Sequence, residues 1–332
     1  MPPPPPIKDV LDAISLCVLP GAGAAAVVTC AFLVVGRWRA AALGSAVAVV
    51  FAFMGGNFTL ANLNTEQPAP TWENTSRLLP WQPGAEAPGY QWLARAALVL
   101  VVTGLLTRWL GLALARVLPE RVWWLANVAV WWPRLWAIGI VSGWLVLGNA
   151  AADPQWAGLR WQLAGAAALV WLVLDGVSRG GASGELSAQL AAVFFAGSAV
   201  LLYSHNAKFM ELAVVLGSAM FGIAVAVLTR QHLDDAPKAL ASGAVPAAAL
   251  FLPGLLLGTR PSHAENKVPD LSFWLIALAP LVLAPFLIPR VSRQNRWVLI
   301  VLRTLLILTP LVIAVVLAGQ HEKFPYEEEP EW

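Results

Sequence analysis

The sequence predicts an all-α protein, a polytopic bundle of transmembrane helices with about ten spans, and three observations support this fold class. Of the 332 residues, 58% are hydrophobic and only 12% are charged, whereas a soluble globular domain carries about 25% charged residues. Mean hydropathy is +0.68. Apolar runs longer than about 18 residues recur along the whole chain, and runs of this length can span a bilayer.

Ten spans fit these runs, within a range of eight to eleven. They are Leu11–Gly36, Ala40–Leu60, Trp92–Arg108, Arg134–Ala151, Trp161–Asp175, Ala188–Tyr203, Leu212–Leu228, Leu240–Gly258, Leu271–Pro289 and Trp297–Gly319. The third, fifth and sixth are short and could extend. A proline-rich tail at 1–10 precedes a single membrane domain at 11–319. This domain carries an outer loop at 61–91, and an acidic tail follows at 320–332.

The stretch 109–133 is rich in tryptophan and arginine and predicts a helical hairpin at the cytoplasmic interface. If the fourth span began at Val122, Arg134 would lie near the middle of the bilayer, which is costly. A hairpin turning at Pro119 avoids this cost and places Pro133 in the first turn of the span, where its missing N–H does no harm. The alternative is one longer, tilted span whose tryptophans pack against neighbouring helices.

The distribution of Lys and Arg predicts the orientation. Twelve of these residues fall on one side of the predicted spans and eight on the other, and the richer side is expected to be cytoplasmic. Both termini then lie outside. The abundance of Ala, Gly and Arg is common in GC-rich bacterial genomes, so we expect the plasma membrane (inner membrane) of a bacterium.

Small residues and prolines within the spans predict how the helices pack. Gly139 and Gly143, Ser218 and Gly222, and Gly254 and Gly258 are each four residues apart, a spacing that permits close backbone approach. Prolines interrupt several spans. They are Pro20, Pro246, Pro253, Pro280, Pro285 and Pro310. Broken helices leave backbone carbonyls that either find partners in neighbouring helices or line a cavity.

Two charged residues of the spans are the candidate substrate-binding residues, Arg303 and Asp175. Arg303 lies in the tenth span, where it either extends to the cytoplasmic interface or serves as a buried counter-ion for an anionic substrate, a lipid headgroup or a partner's carboxylate. Asp175 ends the fifth span, where an interfacial capping role competes with a role in binding. No Asp or Glu lies in the middle third of any predicted span, which argues against a carboxylate relay for protons or sodium.

No sequence motif indicates catalytic residues, a metal site or a cofactor. The nucleophile, phosphate-loop, zinc-protease and kinase motifs are all absent from the sequence. The four histidines fall at span ends or in loops, whereas membrane haem needs histidine ligands within helices. A formal net charge of +2 and the absence of a basic arm predict no nucleic-acid partner. The lipid bilayer and other membrane proteins are the expected partners, and no pattern indicates an oligomeric state.

Three functional classes follow. The first is a structural or accessory membrane subunit without enzymatic activity, which the scarcity of buried ionisable groups favours. The second is a transporter or lipid-handling permease, favoured by the span number, the broken helices and Arg303. The third is a membrane enzyme that acts on a lipid-linked substrate at the outer face through the outer loop.

Overall fold

The computed structural model describes residues 19–35, 43–50, 52–53, 89–117, 119, 123–146, 158–179, 183–229, 236–259, 268–288, 291 and 295–321. Helices make up nearly all of these ranges, and no strand occurs in them. The predicted tail at 1–10 lies outside the described residues. So do residues 61–88 of the outer loop and 322–332 of the acidic tail.

Nine α-helices and one 3₁₀ segment follow one another along the described chain. They are α1 (Leu19–Val35), α2 (Gly89–Val117), α3 (Trp123–Val146), α4 (Leu159–Arg179), α5 (Ser183–Tyr203), α6 (Ala207–Thr229), α7 (Ala236–Leu257), α8 (Asp270–Ala277), the 3₁₀ segment (Ala279–Leu287) and α9 (Arg296–His321). Residues 43–50 and 52–53 are also helical. The third, fifth and sixth predicted spans correspond to α2, α4 and α5, which are longer than predicted.

Six stretches of the described chain are helical, long and apolar enough to cross a membrane. They are Ala96–Leu114, Leu159–Ser178, Glu185–Tyr203, Phe209–Leu228, Asp270–Leu287 and Trp297–His321. Gly21–Ala31 and Gly243–Leu257 are shorter apolar helices. An all-helical fold with several helices long and apolar enough to span a membrane is therefore confirmed for the described residues, but the count of ten spans is not. Helix α3 is absent from the six because Arg134, Pro133 and several tryptophans lower its hydropathy.

Helix α7 lies at the centre of the bundle. It packs against α2, α4, α5 and α8, and all of its side chains from 243 to 257 are buried. A helix that is apolar on every face is typical of such a position. The α2 backbone comes close to α7 at Gly104, where an added Cβ would lie 2.6 Å from the Pro246 Cγ. Helix α7 also continues through Pro246 and Pro253.

Helices α2 and α3 form a hairpin, but its two helices are longer than the predicted hairpin at 109–133. Helix α2 ends at Val117 and α3 begins at Trp123, so the chain does turn near Pro119. However, α3 runs to Val146 as one helix with Pro133 in its interior, and Pro133 does not begin a span. That α3 crosses the membrane stays a prediction, since it is not among the six candidate spans of the described chain. No described side chain of α2 beyond Arg108 is buried, so the hairpin tip extends past the packed bundle.

The three pairs of small residues have three different roles. At Gly222 the approach is a true helix–helix contact, because an added Cβ would collide with the backbone oxygen of Ala22 in α1. At Gly143 the space is filled by the Arg160 guanidinium, whose Cζ would lie 3.1 Å from an added Cβ. Gly258 instead ends α7, where its N–H donates to the carbonyl of Gly254.

The turn between α5 and α6 is a C-terminal capping motif centred on His205. The N–H of His205 donates to the carbonyl of Leu202, and the N–H of Asn206 donates to the carbonyl of Leu201. This is the hydrogen-bond pattern of the Schellman motif. His205 has a φ of 57°, in the left-handed region that usually favours glycine.

The ninth predicted span changes its helix type halfway. The α-helix α8 ends at Ala277, and after Leu278 the chain continues as the 3₁₀ segment. Pro280 lies in its first turn and Pro285 in its interior. Because 3₁₀ runs longer than three or four residues are uncommon, the nine-residue segment marks a distinct break in this span.

Candidate functional site

An ion pair lies inside the bundle between α3 and α4. The Arg134 Nη1 donates to the Asp175 Oδ2 at 2.9 Å, and the two residues are only 3% and 7% exposed. Arg134 lies near the middle of α3, whereas Asp175 lies one turn before the end of α4 at Arg179. Burial of either charge alone would cost desolvation free energy. The attraction between the two groups offsets part of this cost.

Three further side chains complete the surroundings of Arg134. Its Nε donates to the Thr107 Oγ1 of α2 at 2.9 Å, while the Thr107 hydroxyl donates to the Thr103 carbonyl at 2.7 Å. The guanidinium carbon lies 5.0 Å from the ring centres of both Trp131 and Trp171. Cation–π contacts of this kind are stronger when the cation is desolvated. The cluster therefore joins α2, α3 and α4.

The second buried arginine of the described residues, Arg303 of α9, has very different surroundings. It is 5% exposed, and its Nε has no hydrogen-bond partner among the described residues. Its guanidinium carbon lies 4.9 Å from the ring centre of Phe286 in the 3₁₀ segment. Glu185, in the first turn of α5, is near enough to attract it electrostatically.

A polar contact joins α5 to α9 at Thr304, the residue after Arg303. The Gln189 Nε2 donates to the Thr304 Oγ1 at 3.3 Å, which links α5 to α9. Glu185 and Gln189 are one helical turn apart and therefore share a face of α5. A small polar region thus lies where α5, α9 and the 3₁₀ segment meet.

The two predicted substrate-binding residues belong to separate clusters that the 3₁₀ segment connects. Asp175 is paired with Arg134, and Arg303 lies over Phe286. The 3₁₀ segment packs against both α4 and α9. Leu287 lies so close to Gly176 that an added Cβ there would collide with it. The role of Asp175 and Arg303 in substrate binding stays a prediction.

The pairing of Arg134 with Asp175 was not predicted from the sequence, because Arg134 was placed at the cytoplasmic interface. The residues of this cluster that were not predicted are Arg134, Thr107, Trp131 and Trp171. A signal was present, since Trp131 precedes Arg134 by three residues and Trp171 precedes Asp175 by four, which puts each aromatic ring and its charged neighbour on one helix face. One helix face that carries a tryptophan and a cation, and another that carries a tryptophan and an anion, together indicate an ion pair.

Metal-ligand side chains do not cluster in the part of the chain that the structure describes, where no group of three His, Cys, Asp or Glu residues could hold an ion. His321, at the end of α9, has its Nδ1 2.9 Å from the carbonyl of Leu317. His232 and His263 lie outside the described residues. That the chain binds no metal or cofactor stays a prediction.

Comparison with known proteins adds no assignment to this geometry. No protein-family model, curated protein or solved structure matches the chain. The clusters around Arg134 and Arg303 are therefore the features of the described chain that bear on its function.

Proposed function

We propose that the chain is an accessory subunit of a membrane protein complex, without enzymatic activity of its own. The observation that carries the proposal is the set of contacts that Arg134 makes within the chain. The ion pair, the Thr107 hydroxyl and two tryptophan rings all act between helices of this chain. The charge near the middle of α3 therefore holds the bundle together rather than serving as a relay.

The exposed helix surfaces agree with this proposal. Helices α2 and α9 are the least buried of the candidate spans. Helix α9 exposes Val301, Leu305 and Val312, and the hairpin exposes Leu112 and Val128. Such surfaces suit contact with lipid tails or with another membrane protein, and an accessory subunit uses part of them for a protein.

Photo-crosslinking in native membranes tests the proposal. A photoreactive amino acid is introduced at Leu112, Val128, Val301 or Val312, with the buried Leu216 as the matched control. We expect at least one exposed position to crosslink to one defined membrane protein, which also copurifies at a fixed ratio in mild detergent. Crosslinks to lipid alone at all four positions, with the chain purified alone, would contradict the proposal.

The orientation and the number of spans are part of the same proposal. If α1, the helical residues 43–50 and 52–53 as one span, α3 and α7 cross together with the six candidate spans, the chain crosses ten times and both termini lie on one side. The excess of Lys and Arg supports a cytoplasmic turn between α2 and α3 and termini outside. The composition supports a bacterial inner membrane.

A lipid-handling permease is the second candidate, and the 3₁₀ segment favours it. Interrupted helices beside a charged residue occur at the binding sites of transporters, and Phe286 of this segment contacts Arg303. Reconstitution with a fluorescent phospholipid tests the activity, because a permease would move the probe between leaflets and Arg303→Gln would slow it. If the purified chain moves no probe while its protein partner is captured, the accessory role stands.

A further inference from the structure

The Arg303 Nε lacks a hydrogen-bond acceptor among the described residues, in contrast to the Nε of Arg134. Both arginines are at least nine-tenths buried. Arg134 has a carboxylate at 2.9 Å and a hydroxyl acceptor for its Nε. The Arg303 Nε has no acceptor among the described residues, although a guanidinium carries five N–H donors. A buried guanidinium whose Nε has no acceptor is stabilised by an anion bound next to it.

The position of Arg303 indicates where that anion comes from. Arg303 is seven residues into α9, roughly 10 Å from its first residue at a rise of 1.5 Å per residue. Its neighbours Val301, Leu302 and Leu305 face outward, so the side chain lies just behind the surface that lipid tails contact. A long arginine side chain at this depth reaches the level of the lipid headgroups.

The chemistry of the neighbouring groups favours a phosphate oxyanion. A guanidinium forms two parallel hydrogen bonds with phosphate. The Phe286 ring covers one side of the cation, with its centre 4.9 Å from the guanidinium carbon.

We propose that the junction of α5, α9 and the 3₁₀ segment binds a phosphate group through Arg303. The ligand is the phosphate of an anionic phospholipid or a free phosphate. Glu185 competes with this ligand for the guanidinium. The site does not depend on the accessory role, because a subunit, a permease and an enzyme could each carry it.

The test measures the thermal unfolding of the delipidated full chain in detergent, with and without two probes. These are short-chain phosphatidylglycerol and inorganic phosphate. The variants are Arg303→Gln, Arg303→Lys and Glu185→Gln. Arg160→Gln is the matched control, because Arg160 is an exposed arginine that donates to the Gly139 carbonyl.

We expect one probe to raise the unfolding temperature of the wild-type chain and of Arg160→Gln. Arg303→Gln should bind at least tenfold more weakly. Arg303→Lys should be intermediate, because lysine lacks the planar fork. Glu185→Gln should bind as tightly as wild type or more tightly, since it removes the competing carboxylate. A response to phosphatidylglycerol alone identifies the lipid as the source, and a response to inorganic phosphate identifies the free anion.

Three results would overturn the proposal. The first is that neither probe stabilises the wild-type chain. The second is equal binding by the wild type and the Arg303 variants, with Arg303→Lys deciding if Arg303→Gln does not fold. The third is a loss of binding in Glu185→Gln as large as in Arg303→Gln, which would make Glu185 the structural partner of Arg303.

Discussion

At the scale of single residues, Arg134 illustrates that the cost of a buried charge depends on its partners. Asp175 forms an ion pair with its guanidinium, and Thr107 accepts a hydrogen bond from its Nε. The rings of Trp131 and Trp171 make cation–π contacts with it. A guanidinium with fewer of these contacts would be more stable in water than inside the bundle. The cluster is therefore expected to behave as one unit, in which removal of a single partner costs more than removal of both charges.

Substitution of the ion pair tests this expectation. Arg134→Leu leaves the Asp175 carboxylate buried without its cation and should lower the free energy of unfolding by about 3–5 kcal/mol. Arg134→Leu combined with Asp175→Leu should recover most of this loss, since apolar replacement of a buried pair is often neutral. Unfolding in detergent provides the measurement. If Asp175→Asn keeps full stability but loses a bound substrate, Asp175 is a binding residue instead.

His205 allows a second prediction at this scale, because its backbone is in the left-handed region. His205→Val should destabilise the chain by about 1–2 kcal/mol, since a β-branched side chain is strained at positive φ. His205→Gly, the control, should stay within about 1 kcal/mol of the wild type because glycine adopts this conformation freely. Thermal unfolding of both variants checks the prediction, and equal losses would contradict it.

At the scale of helices, the α1–α6 contact depends on the absence of a side chain at Gly222. Gly222→Ala should lower the free energy of unfolding by about 1–3 kcal/mol, since the two backbones must move apart. Gly165→Ala is the matched control, because Gly165 is also in a helix but has no atom within 4 Å of an added Cβ. It should be neutral or stabilising, as alanine favours helix by up to about 1 kcal/mol. Similar losses in both variants would show that the contact is unimportant.

The helices themselves could be predicted from the sequence more readily than their ends. Long apolar runs identified most of them, because burial in lipid or protein demands a continuous apolar surface. The predicted start of the fourth span does not match the start of α3, because Arg134 was treated as a lone charge. The free-energy cost of burying a lone charge moved the predicted boundary to Pro133. A partner 41 residues away cannot be seen from local hydropathy. The orphan Nε of Arg303 likewise depends on contacts that only the packed structure shows.

At the scale of the whole molecule, the path of α3 decides the arrangement of the chain in the membrane. Single cysteines at Val117 and His205, two exposed positions, test it in a background with Cys17→Ser and Cys30→Ser. Three helices, α3, α4 and α5, separate the two positions. If all three cross, a membrane-impermeant reagent should label Val117→Cys and His205→Cys from opposite sides. Labelling of both from the same side would mean that one of the three helices does not cross the membrane.

The Arg134–Asp175 pair also has a consequence for how the chain enters the membrane during synthesis. Arg134 emerges from the ribosome before Asp175, and an arginine at the centre of a lone helix opposes insertion by about 2.5–3.5 kcal/mol. Its counter-charge is available only after most of α4 has been made. We therefore expect α3 to leave the insertion machinery together with α4, so that a nascent chain truncated before Asp175 holds α3 at the membrane surface.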